Sequence, residues 1–123
     1  MRKVIVFICL SFLGACSNSA EMPKEVLPVS KMKLVVWDMS LADNLASEKY
    51  ILNKDSQRIM VTGLYQKIFN LHKISKTVFY NSYAYYEMHP VVLQTLFDSV
   101  SAYGERQKGK AFQKIHNVPQ AMK

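Results

Sequence analysis

The sequence predicts an all-α protein, a small bundle of three to four helices behind an apolar N-terminal segment. Three observations carry this. Apolar side chains recur at three- and four-residue steps over four stretches between Ser30 and Tyr103. The breaks between them are short and hold helix start and stop signals: Asn53 to Ser56, Lys73 to Ser75, and Pro90. A chain of 123 residues with 50% hydrophobic content suits one domain with a modest core.

The N-terminus begins with Arg2 and Lys3 and continues in an apolar run from Val4 to Leu13. A basic start followed by a short apolar run reads as a secretory signal, too short for the roughly 20 residues of a membrane span. Its ending, Leu13-Gly14-Ala15-Cys16, resembles the lipobox of bacterial lipoproteins. The resemblance implies cleavage after residue 15 and acylation of Cys16, which becomes the first residue and anchors the chain to membrane lipid. Cys9 leaves with the signal, so the mature domain has no thiol for a disulfide, a metal or a nucleophile. Residues 16–28, with Pro23 and Pro28 among small and charged residues, read as a lipidated flexible tether. Glu21 and Glu25 are isolated and form no acidic cluster beside Cys16. That favours an outer-membrane anchor facing the periplasm.

The domain is expected over residues 29–104. Its first helix runs from about Ser30, a cap, to Leu52, with Leu34, Trp37, Leu41, Leu45 and Leu52 on the buried face. Val35, Ala42 and Ala46 flank that face, and Asp43 points outward. Asp38 lies close to the apolar direction, where a carboxylate must find donors. A second helix covers roughly Gln57 to His72 after a cap at Asp55 or Ser56. Met60, Leu64, Ile68 and Leu71 make its stripe, and Gly63 marks a close helix crossing. Ser75 caps a third helix, Lys76 to Met88, which Pro90 ends. Pro90 also suits the first turn of a fourth helix, with Leu93, Leu96, Phe97, Val100 and Tyr103 inward. Gly104 and Gly109 weaken its continuation, so residues 105–123 read as a basic, mobile tail.

Removing Arg2 and Lys3 lowers the formal charge from +7 to +5. Such a surface suits solubility or anionic headgroups. An exported location makes nucleic acid a poor partner. His72, His89 and His116 have no metal-type spacing, and no cofactor motif occurs. No nucleophile elbow and no paired carboxylates on one helix face are present, so nothing supports a catalytic set. The third helix is the distinctive stretch: Phe79, Tyr80, Ser82, Tyr83, Tyr85, Tyr86 and His89. Tyr85, Tyr86 and Phe79 suit the core, whereas Tyr80 and Tyr83 are candidates for a ligand or partner surface. Asp38 is expected to join Ser82, Tyr86 and His89 in a buried polar network.

Read together, several stretches resemble a family. They are Met32-x-x-Val35-x-x-Asp38-x-x-x-Ala42, Tyr65-x-x-Ile68-Phe69-x-x-His72-x-Ile74-Ser75 and Phe79-x-x-Ser82-x-x-Tyr85-Tyr86-x-x-His89-Pro90. With the lipobox, this layout is similar to domain-of-unknown-function family 4296, small helical lipoproteins of the Bacteroidota. The resemblance spans roughly Met22 to Tyr103. It departs at the corner before the third helix, where the family often has glycine and this chain has His72-Lys73. The family implies a helical fold and an envelope location but no activity. Two functions are therefore expected: a non-enzymatic accessory factor that binds an envelope protein, or a small-ligand or glycan binder using the tyrosine-rich helix.

Overall fold

The computed structural model describes residues 22–116. The expected signal segment, the lipobox-like stretch and Cys16 lie outside them, as does the end of the expected tail. Four α-helices and no strand occur among the described residues: α1 (Val29–Lys49), α2 (Lys54–Leu71), α3 (Lys76–Glu87) and α4 (Pro90–His116). None of them is long and apolar enough to cross a membrane.

α1 is the central element, packed against both α2 and α4. α2 returns antiparallel to it, as three side-chain bonds show in register: Gln57 to Ser47, Tyr65 to Asp43 and His72 to Asp38. α3 carries the chain on towards the start of α1, where Ser82 and Tyr86 meet Leu27. α4 then turns back alongside α1, with Tyr103 and Gly104 against Trp37.

The core gathers Leu27, Met32, Val35, Ala42, Ile68, Phe69, Phe79, Tyr86 and Leu96. This corrects the expected face of α1. The buried positions are Met32, Val35, Ala42 and Ala46, while Leu41 and Leu45 are about half exposed and Leu52 is 97% exposed. Apolar residues run almost all round α1, so periodicity alone does not choose a side. In the C-terminal half of α1 packing buries Ala42 and Ala46 rather than Leu41 and Leu45, because alanine lets a neighbouring helix approach closely.

Helix boundaries follow their caps. Asn53, rather than Asp55 or Ser56, caps α2 by accepting from the Ser56 N–H at 2.9 Å. Ser75 caps α3 as expected, accepting from the Val78 N–H at 3.1 Å. α1 has no side-chain cap; it starts behind Pro28, not from Ser30. At the end of α2, the Ile74 N–H bonds to Phe69 O and the Lys73 N–H to Asn70 O. This is a Schellman closure with Lys73 in the left-handed position, φ 53°. Lysine thus occupies a left-handed conformation that glycine adopts without a side-chain clash.

Two expected irregular segments prove ordered. The tether is docked from Met22 onward: Leu27 is in the core, and the Val26 N–H closes a turn on Pro23 O. α4 continues through residues 105–116, since neither Gly104 nor Gly109 ends it. Gly104 is buried beneath Trp37: a Cβ there would stand 2.3 Å from the indole Cζ3. The helix accepts glycine at this point because the ring fills the space. Gly63 meets nothing within 4 Å and marks no crossing.

Candidate functional site

The four expected network residues separate into three places. Ser82 and Tyr86 lie one turn apart on the buried side of α3. The Ser82 hydroxyl accepts from the Leu27 N–H at 2.9 Å and donates to Val78 O at 2.7 Å. The Tyr86 hydroxyl donates to Leu27 O at 2.8 Å. Together they satisfy both backbone polar groups of a buried residue, as burial requires.

Asp38 and His89 are elsewhere. Asp38 accepts from His72 Nε2–H at 2.6 Å, which joins α1 to the end of α2. The carboxylate did need a donor, but the donor is His72 and not His89. His89 donates Nδ1–H to Tyr85 O at 2.6 Å and stacks on the Tyr85 ring with centroids 4.0 Å apart. These contacts close the end of α3 and do not reach Asp38.

The residues proposed for a surface do converge. Tyr80 and Tyr83 line a cleft of about 300 Å³ to which all four helices contribute. α1 supplies Val36, Met39, Ser40 and Asp43, and α2 supplies Tyr65. α3 adds Phe79, Tyr80 and Tyr83, and α4 adds Phe97. Packing fixes the walls: Tyr83 stacks on Phe79 at 6.1 Å, and Phe79 and Phe69 both meet Tyr80 edge-on. The volume falls at the lower end of small-ligand clefts, roughly 300–1,000 Å³. A wider furrow of about 460 Å³ lies between Trp37, Asp38 and Leu41 on α1 and Tyr103 and Lys108 on α4. It is larger but has walls from only two helices, one of them exposed beyond Gly104 apart from Gln107.

Asp43 is the charged member of the cleft lining. Its two carboxylate oxygens accept from the Tyr65 hydroxyl at 2.8 and 3.0 Å. Among the described residues the ion pairs are Arg58–Asp55, Lys108–Glu105 and His72–Asp38, and Asp43 belongs to none. Burial pushes the Tyr65 phenol well above its ordinary range, and the bond to Asp43 and its negative charge add to the shift. Burial also pushes Tyr86 up to about 12, with a smaller contribution from Tyr85. Sequence reading placed Asp43 on an outward, solvated face. Its alignment with Tyr65 exists only once α2 lies antiparallel on α1.

A pH dependence follows. Both phenols have folded-state values above the unfolded value of about 10. Their contribution to stability is complete below pH 10 and is lost as the pH rises through the folded values. We expect the melting temperature to fall from about pH 10 to pH 12, and to fall less steeply in Tyr65→Phe. Parallel curves for the two proteins would show that Tyr65 has no part in the loss.

Among the described residues no group of three or more His, Cys, Asp or Glu side chains is placed to hold a metal ion. The fold and site together define a small all-α domain with an aromatic, carboxylate-bearing cleft to which all four helices contribute. The chain belongs to the family described as domain of unknown function DUF4296, which matches residues 23–110. Neither a curated protein nor a solved structure matches it.

Proposed function

We propose that the chain is a lipid-anchored accessory protein of the cell envelope, held through acylated Cys16 and acting by binding a protein partner rather than by catalysis. The observation that supports this reading is the four-helix cleft. It is concave and aromatic, and its rim includes Tyr80, 44% exposed. Such rings are large anchors with few rotatable bonds and dominate partner surfaces. The lipobox-like Leu13-Gly14-Ala15-Cys16 supports the lipid anchor, and the isolated Glu21 and Glu25, with no acidic cluster beside Cys16, favour a periplasm-facing one.

The test is photo-crosslinking in intact cells. A photoreactive residue replaces Tyr80 in one strain and the exposed Arg58, on α2, in another. Each is made with and without Cys16→Ala. We expect one defined envelope protein to be captured from position 80, not from position 58, and only with Cys16 present. Equal capture from both positions counts against the cleft. Absence of lipid on the wild-type chain counts against the anchor.

The cleft's volume and its walls from four helices also favour a second reading, a small ligand or glycan held by Tyr80 and Tyr83. No captured protein, with lipidation intact, would select it.

A further inference from the structure

We infer that the cleft between Asp43, Tyr65, Tyr80 and Tyr83 recognises a cationic nitrogen, an ammonium group presented to aromatic rings and a carboxylate. The inference rests on the cleft being the binding site and names the chemistry that it takes.

The argument begins with charge. The chain has 16 Lys and Arg against 9 Asp and Glu, so unpaired anionic groups are scarce. Asp43 is exposed, lines the cleft and makes no ion pair among the described residues. The Tyr65 hydroxyl occupies one approach to both of its oxygens and orients the carboxylate. Each carboxylate oxygen has two lone-pair sites, so acceptor capacity remains. Around it stand Tyr65, Tyr80, Tyr83 and Phe97, whose ring quadrupoles attract a cation at close range.

One of these rings already has an ammonium near it, from the residue one turn earlier on α3. Lys76 Nζ stands 5.8 Å from the centroid of Tyr80. Lys76 lines the neighbouring depression with Thr62 and Gln66, outside the cleft. An anionic ligand finds no cationic side chain lining the cleft. A neutral apolar ligand would displace water from the Asp43 carboxylate and offer it no charge in return, leaving the Tyr65 hydroxyl as its one described partner. A cation satisfies both the rings and the carboxylate.

Two sources supply such a group: a lysine side chain of a protein, or a free quaternary ammonium compound. The test uses the acylated full chain in detergent micelles, with isotope-labelled tyrosine rings followed by NMR. The probes are Nα-acetyl-lysine amide, choline, and 3,3-dimethylbutanol as choline's neutral isostere. We expect at least one cation to shift Tyr80 and Tyr83 and to bind about tenfold more tightly than the neutral isostere. Asp43→Asn, on an exposed residue, should weaken cation binding about tenfold and leave the isostere unchanged. Tyr80→Leu keeps an apolar wall and should also weaken the cations selectively. A preference for the lysine amide assigns the source to a protein side chain, and one for choline to a small molecule. Equal binding of choline and its isostere overturns the inference, as does cation binding unaffected by Asp43→Asn. So does the absence of any shift with either cation at high millimolar concentration. Capture from position 80 without cation binding overturns this inference alone. Cation binding without capture overturns the protein partner and leaves the cation site standing.

Discussion

Tyr86→Ala lowers the unfolding free energy by about 3–5 kcal/mol, the range for truncating a large buried ring. The side chain is fully buried in the centre of the core. Tyr86→Phe keeps the ring but leaves Leu27 O without its bond, at about 1–3 kcal/mol. Ser82→Ala leaves the Leu27 N–H unpaired at similar cost. The combination of Ser82→Ala with Tyr86→Phe should cost less than the sum. Once one bond is lost and Leu27 loosens, the second group has less to hold. Denaturant unfolding of the four proteins and hydrogen exchange at the Leu27 amide measure this. Additive losses with Leu27 exchange unchanged would mean that the two hydroxyls do not act through the docked segment.

The second large effect is at α4. Gly104→Val destabilises by about 3 kcal/mol, the upper part of the range for overpacking. A first side-chain atom already meets Trp37 Cζ3 at 2.3 Å and Cη2 at 2.7 Å, and valine adds two more carbons. Gly109→Val, five positions on in the same helix, meets nothing within 4 Å and should change stability by a few tenths of a kcal/mol. Melting temperatures compare the pair, and Trp37 fluorescence reports ring displacement in the first. Similar melting temperatures for the two variants would show that the indole does not rest on Gly104.

Local signals served well where the chain's own neighbours decide the outcome. Ser75 caps α3 and Pro90 begins α4, as their chemistry requires. Signals failed where a distant element decides. Gly104 reads as a weak point until Trp37 covers it. Leu41 and Leu45 look like core until α2 and α4 close on the alanine side of α1. Asp38 was legible as a carboxylate needing a donor, but His72, His89 and His116 all stand at helix ends and only the tertiary arrangement selects His72. Ser82 and Tyr86 were legible as a pair. Their partner is a backbone within a segment whose prolines and charges suggest a spacer, so no side-chain pattern could reveal it. Of the cleft, Tyr80 and Tyr83 were visible in sequence, whereas Asp43, Tyr65 and Phe97 arrive from three other helices.

The docking of Leu27 also sets an altitude. A chain spans at most about 3.3–3.6 Å per residue. If the leash from an acylated Cys16 ran free to the first helix, the domain could range roughly 40 Å from its lipid. Ser82 and Tyr86 take in part of that line by gripping Leu27, and the Tyr86 hydroxyl reaches back to Met22 Sδ at 3.8 Å. From Cys16 to Met22 the chain can span at most roughly 20 Å. On the proposed anchoring, the cleft patrols a thin layer just above the bilayer, and whatever fills it must come down to that height.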